Sequence, residues 1–178
     1  MSEFRSLCLI DDPSMDADDG SSGEDVDDYL PPPDAPDGYD LITAAPGIVT
    51  VTTGVMTGRV QMIVHVLDAE PAGLAEGDWD TIEEIGFRAL SASTRAASGQ
   101  YYPFAADGDD TFSQSVTPAG AGHYRVRAYE VNRHRALGEH FEETDDPTDE
   151  HYLVEVWPQA TTDESLRRIV GTDPPLLR

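Results

Sequence analysis

The stretch HYRVRAYEV, residues 123–131, and the stretch HYLVEVW, residues 151–157, are each typical of a β-strand. Both are rich in valine and in aromatic residues, which favour the extended backbone. If the two strands pair, Arg125 or Arg127 comes to lie near Glu155. A cross-strand ion pair contributes only about 0.2–1 kcal/mol, so it would adjust the register of the pair rather than drive folding.

Further strands are expected on both sides of this pair. Residues 48–56 and 59–67 are alternating runs separated by Thr57-Gly58, a pattern that predicts a β-hairpin. An alternating pattern also predicts a strand at about 85–93, and a short strand is plausible around 111–117.

Two segments carry helix signals. Thr81 and Glu84 have capping-box spacing, which could nucleate a helical turn over 79–84. Thr161 and Glu164 repeat that spacing before an apolar stripe, and Gly171 follows. The second pattern predicts a C-terminal helix that ends at this glycine.

These elements predict a mostly-β protein: an antiparallel β-sandwich with a short C-terminal helix and a disordered acidic N-terminal arm. The predicted domain organisation is a disordered arm over 1–40, a β-sandwich domain over 41–160, and a C-terminal helix and tail over 161–178.

The charge of the chain is strongly one-sided. There are 35 acidic and 11 basic residues, for a formal net charge of -24. Such a surface repels phosphates, so we expect no nucleic-acid partner and no membrane partner. The single cysteine, Cys8, excludes an internal disulfide. With no apolar run long enough to span a bilayer and no signal-peptide pattern, the expected location is cytoplasmic.

Residues 1–40 contain 13 of the acidic residues and a single arginine, Arg5. This composition buries too little apolar surface to offset the chain entropy, so it predicts disorder. The alternative is a segment that folds on a partner, anchored by Leu7–Ile10 or by Val26, Tyr29 and Leu30.

Catalytic signatures are missing from the sequence. It has no nucleophile elbow, P-loop or zinc-protease motif, which favours a protein that is not an enzyme and that needs no cofactor. One alternative is a metal-dependent binding or enzymatic domain in which His134, His140 and His151 bind zinc or manganese together with Glu143 or Asp146.

The candidate partner-binding residues are acidic or aromatic. Seven acids and no arginine lie in the predicted loop over 136–150, and an aromatic run in a loop could be exposed for recognition. The set is Glu139, Glu142, Glu143, Asp145, Asp146, Asp149, Glu150, Tyr101 and Tyr102.

One resemblance rests on the order of several motifs. Trp79-Asp80 opens a segment that continues through Glu83-Glu84; residues 118–127 then run PAGAGHYRVR, and residues 149–158 run DEHYLVEVWP. Over about 47–158 this resembles small acidic bacterial domains that include the competence protein J family, inhibitors of the DNA-entry nuclease. The resemblance implies a role in binding and blocking a nuclease or toxin, without catalysis.

The expected function is therefore that of a non-enzymatic acidic binding protein, an inhibitor or immunity-type protein that blocks a basic partner such as a nuclease or toxin. Electrostatic steering would bring such partners together rapidly. A second alternative is a DNA-mimic protein, which would need carboxylates in fixed rows.

Overall fold

The computed structural model describes residues 6–11, 40–54, 60–98, 114–135 and 149–171, and their regular secondary structure is almost entirely β-strand. In chain order the strands are β1 Ser6–Asp11, β2 Ile42–Ala45, β3 Ile48–Thr52, β4 Gln61–Val66, β5 Thr81–Ala89, β6 Thr94–Ser98, β7 Gly122–Val131, β8 His151–Pro158 and β9 Arg167–Val170. A short 3-10 helix, Arg133–Arg135, follows β7. Within these segments, no helix is long and apolar enough to cross a membrane.

The strands form two sheets, which confirms the mostly-β prediction. One sheet has the order β2-β3-β1-β6 and the other the order β4-β8-β7-β5-β9. All described pairings are antiparallel except that of β4 with β8, which is parallel.

The two sheets share one hydrophobic core, because alternate residues of each strand turn toward the other sheet. The four-stranded sheet contributes Leu9, Val49 and Val51, all fully buried. The five-stranded sheet contributes buried aromatic and β-branched side chains to the same cluster, among them Phe87, Tyr124, Val126, Val154 and Val156.

The pairing of 123–131 with 151–157 is confirmed. In the register of β7 with β8, Arg127 is opposite Glu155, whereas Arg125 is opposite Trp157. The distance between Arg127 Nη1 and Glu155 Oε2 is 3.6 Å.

The prediction of disorder over 1–40 is wrong for Ser6–Asp11. This segment is a strand inside the four-stranded sheet, paired with β3 on one side and β6 on the other. Leu9 is fully buried there. A short apolar run within an acidic segment is stabilised by partners far along the chain, which composition averaged over forty residues does not reveal. Residues 12–39 lie outside the described residues.

The predicted hairpin over 48–67 is also wrong. Its two strands exist, but β3 lies in the four-stranded sheet and β4 in the five-stranded sheet. Alternation fixes which faces of a strand are apolar, but it leaves the partner of that strand open. The predicted turn, Thr57-Gly58, lies outside the described residues.

Neither predicted helix is present in the described parts of 79–84 and 161–171. Thr81–Ala89 is a single strand, where a helical turn was predicted over 79–84. It begins four residues before the strand predicted at 85–93. Arg167–Val170 is a strand on the edge of β5, where Arg168 is aligned with Glu83 and Arg167 with Glu84. Pairing with two buried carboxylates overrides the local capping signal. Of the strand predicted around 111–117, residues 114–117 are not extended as a strand, and the remainder lies outside the described residues.

Candidate functional site

The outer face of the five-stranded sheet, the face turned away from the shared core, carries charged groups at its centre. Along β7, Tyr124, Val126 and Ala128 belong to the core cluster. Because side chains alternate along a strand, Arg125 and Arg127 lie on the outer face, and both are nevertheless buried.

Glu84 of β5 holds these two arginines. Its Oε1 accepts a hydrogen bond from Arg125 Nε at 2.7 Å, and its Oε2 accepts one from Arg127 Nε at 2.8 Å. The three side chains are at most 6 % exposed. An isolated charge here would be costly, so the three groups depend on one another. With both oxygens engaged, the Glu84 carboxylate is a structural anchor rather than a free base.

We call the buried group of Glu84, Arg125 and Arg127 the ion-pair layer. Aromatic side chains lie beside it. The Arg127 guanidinium lies 4.9 Å from the ring centroid of Trp157, a cation–π arrangement. Tyr129 donates a hydrogen bond to Glu155 Oε2 at 2.6 Å. Burial and this carboxylate raise the pKa of Tyr129. Although burial opposes its charge, hydrogen bonds with Tyr129 and Glu84 raise the pKa of Arg127, so it stays charged.

The loop over residues 67–80, which we call the acidic loop, crosses this layer between β4 and β5. Arg127 Nη1 donates to Gly73 O at 3.2 Å, and Ala75 N donates to Tyr129 OH at 3.1 Å. Trp79 Nε1 donates to Ala75 O at 3.1 Å, and its ring centroid is 5.2 Å from that of Tyr129. The loop is thus fixed to the sheet at several points.

The free side of the acidic loop is negative. Five exposed carboxylates and no basic residue occur along it: Asp68, Glu70, Glu76, Asp78 and Asp80. Leu74 lies among them and is 45 % exposed. An anchored loop that exposes both carboxylates and an apolar side chain is suited to contact a basic protein surface.

A second segment, residues 159–166, covers the other end of the layer. Arg125 donates to the carbonyl oxygens of Asp163 and Ser165 at 2.9 and 3.2 Å. The segment lies directly on Gly86 of β5, where an added Cβ would be 2.0 Å from Asp163 O. Hydrogen bonds from Ser165 and Arg167 lower the pKa of Asp163.

Between the two covers lies a cleft of about 320 Å³. It is lined by Glu70, Glu84, Arg125, Trp157, residues 158–161 and Arg167. The charged groups at its base are already paired with one another. In the part of the chain that the structure describes, its lining is mostly polar or charged, so the cleft offers polar contacts.

The predicted partner-binding residues fall in different places. Asp149 is exposed. Glu150 is 1 % exposed, and its Oε1 accepts hydrogen bonds from Gly54 N at 2.7 Å and from Tyr152 OH. Glu150 is therefore an interior group, which corrects its assignment to the binding surface. Burial and the charge of Glu150 raise the pKa of Tyr152.

The remaining predicted residues lie outside the described residues. These are Glu139, Glu142, Glu143, Asp145, Asp146, Tyr101 and Tyr102, so their role stays a prediction. The structure does place Asp149, near the end of the predicted loop over 136–150, beside the acidic loop. Asn132 N donates to Asp80 Oδ2 at 2.7 Å, and Asn132 Nδ2 donates to Asp149 O at 3.1 Å.

Of the predicted metal ligands, His134 and His151 are both exposed, and His140 lies outside the described residues. His134 Nδ1 is 3.9 Å from Asp80 Oδ2. Among the residues that the structure describes, no three histidine, cysteine, aspartate or glutamate side chains lie close enough to hold a metal ion.

Comparison with protein-family models, curated proteins and solved structures finds no match to this chain. The resemblance to the competence protein J family gains no support from these comparisons, and the function has to be argued from the geometry.

The acidic loop is not among the residues that the sequence predicts to bind a partner. The criterion that singled out 136–150, several acids and no arginine, is also met by residues 68–80, which hold five acids. What the sequence does not reveal is that buried groups of β7 anchor that loop.

Proposed function

We propose that this protein is a non-enzymatic binding protein that holds, and thereby blocks, a basic protein partner such as a nuclease or toxin, using the acidic loop as its contact surface. The two sheets serve as a β-sandwich scaffold. The observation that supports this most is the anchoring of the acidic loop by Arg127, Tyr129 and Trp79 while its carboxylates face solvent.

The distribution of charge supports the choice of this loop. Six of the fifteen acidic residues in the described segments are buried: Asp11, Glu83, Glu84, Glu130, Glu150 and Glu155. Of the nine that remain, five belong to the acidic loop. The negative potential of the described surface is therefore concentrated on one element.

The anchoring of the acidic loop also favours binding. A loop that is already ordered loses less conformational entropy when it binds than a flexible one does. Carboxylates at the rim accelerate encounter with a basic surface, while Leu74 supplies apolar area that can be desolvated at the centre. A partner that fits has arginine or lysine side chains around an apolar pocket.

The test is binding of purified basic nucleases, measured by biolayer interferometry at about 50 mM and about 500 mM salt. The loop variant is E70Q/E76Q/D78N. Its matched control is D16N/D18N/D19N, which changes the net charge equally but leaves the acidic loop intact. At about 0.2–1 kcal/mol for each exposed ion pair, the loop variant should bind roughly tenfold more weakly, and the control nearly as well as the wild type.

Leu74→Ser separates the apolar contact from charge. It should speed dissociation while it leaves the salt dependence of association unchanged. Equal weakening by the loop variant and its control would show that total charge, and not this loop, attracts the partner. Failure of every basic nuclease to bind would remove the proposed function.

A further inference from the structure

The outer edge of β4 is open in the described structure. β4 lies at the end of the five-stranded sheet and, among the described strands, pairs with β8 alone. Ile63 and Val66 are 48 % and 41 % exposed.

The β4 edge lacks the features that commonly prevent an edge strand from pairing with another chain. Gln61–Val66 reads QMIVHV, with no acidic residue, arginine or proline, in a chain of which 26 % is charged. Edge strands are usually blunted by charge, proline or bulges. At the opposite edge of the same sheet, β9 carries Arg167 and Arg168.

The backbone groups of β4 available for pairing can be identified. Leu67 N, one residue beyond the strand, donates to Val156 O of β8 at 2.8 Å. Because hydrogen-bonding directions alternate along a strand, residues 61, 63 and 65 also turn toward β8. The N–H and C=O groups of Met62, Val64 and Val66 therefore point away from the sheet.

We propose that β4 pairs antiparallel with β4 of a second copy of this chain about a two-fold axis at Val64, joining the two five-stranded sheets into one. In that register Met62 of each copy is opposite Val66 of the other, and Val64 is opposite Val64. Each outward N–H and C=O group of these three residues then finds a hydrogen-bond partner on β4 of the other copy.

The absence of charged residues from β4 makes this edge better suited to a second copy than to a basic partner. A basic partner is drawn to the acidic loop, whereas β4 is the uncharged strip along which two acidic molecules can approach without burying carboxylates. The acidic loop leaves β4 at its C-terminal end. Antiparallel pairing places the two loops about 20 Å apart, at about 3.3 Å per residue, well beyond the screening length of about 8 Å.

The test is sedimentation equilibrium of the full chain over about two decades of micromolar concentration. This range suits the weak dissociation constants expected for interfaces smaller than about 1,200 Å². The mass should rise from 19.3 kDa toward twice that value. Added salt should strengthen the dimer, because it screens the repulsion between like-charged copies. This direction is opposite to that expected for a basic partner, so the two proposals can fail separately.

Two variants locate the interface. Ile63→Lys puts a charge on the edge, and Val66→Pro removes an outward N–H without touching the pairing with β8. Each should weaken dimerisation at least about tenfold. Val170→Lys, an exposed apolar residue on the other edge, should change it less than about twofold. A monomer at all concentrations and salts, or a dimer that both β4 variants leave intact, would overturn the proposal.

Discussion

Replacement of Glu84 by glutamine tests the ion-pair layer most directly. Glu84 Oε1 and Oε2 are the acceptors that neutralise Arg125 and Arg127, and the three side chains are at most 6 % exposed. Glutamine keeps the shape and one acceptor oxygen but removes the charge. Two buried guanidinium groups are then left with the more distant carboxylates of Asp163 and Glu155, each 3.6 Å away.

The expected loss follows from this geometry. Breaking a buried ion pair by removing one partner costs about 3–5 kcal/mol. The remaining acceptor and the two more distant carboxylates place E84Q near the lower limit, at about 3 kcal/mol. For a chain of this size, each kcal/mol lowers the melting temperature by about 2–4 °C, so the expected decrease is roughly 6–12 °C.

The assay is urea unfolding followed by tryptophan fluorescence and circular dichroism. Trp157 reports on the layer itself, because the Arg127 guanidinium lies 4.9 Å from its ring centroid. Glu164→Gln is the control, since Glu164 is exposed and such surface changes stay within about 0.5 kcal/mol. In the double variant E84Q/R127M the losses should be less than additive by about 1 kcal/mol or more. A loss below about 1 kcal/mol for E84Q would refute the argument that these charges depend on one another.

Three further predictions concern the scaffold. Gly86→Ala should destabilise the protein by more than about 2 kcal/mol and increase hydrogen exchange in 159–166, because the new Cβ would be 2.0 Å from a backbone oxygen. Gly122→Ala is the control, because an added Cβ there has nothing within 4 Å. Equal effects of the two variants would contradict the close packing at Gly86. Asp11→Ala should cost about 2–4 kcal/mol in urea unfolding, because the buried carboxylate accepts hydrogen bonds from Leu90 N, Ser91 N and Ser91 Oγ at 2.5–2.6 Å; no loss would mean that the N-terminal strand is dispensable. The pKa of Tyr152 is raised above its ordinary value of 10.0. Because the tyrosine ionises first in the unfolded chain, its stabilising contribution is complete below pH 10 and is lost as the pH rises further. Tyr152→Phe should flatten the alkaline fall in stability, and an unchanged stability curve would argue against this role of Tyr152.

The strands that a sequence can predict are those whose faces differ. Residues 123–131 and 151–157 alternate between core and outer-face side chains, so both strands could be predicted, and the pairing considered between them is present. The alternation of β3 and β4 was equally clear, but a period of two residues does not record which strand becomes the neighbour. The hairpin expected between them is replaced by two strands in different sheets.

Capping signals and average composition misled for a related physical reason. Both describe a few consecutive residues or a mean, whereas the competing interactions come from far along the chain. Arg168 Nε donates to the buried Glu83 Oε1 at 2.7 Å across 85 residues of sequence, which favours a strand where Thr161 and Glu164 predicted a helix. Cys8 and Leu9 are buried between β3 and β6, within a segment whose composition predicted disorder.

Strand propensity and charge are properties of single residues and their neighbours, so the amino-acid sequence is enough to predict a protein that is mostly β and strongly acidic. The division of its carboxylates between the interior and the surface is visible only in the folded molecule. Glu84, Glu150 and Glu155 are identical in type to Glu70 and Glu76, yet the first three neutralise or hydrogen-bond buried groups and the last two face water. That division depends on which arginine, tyrosine or backbone N–H each carboxylate meets, and those partners come together only when the sheets form.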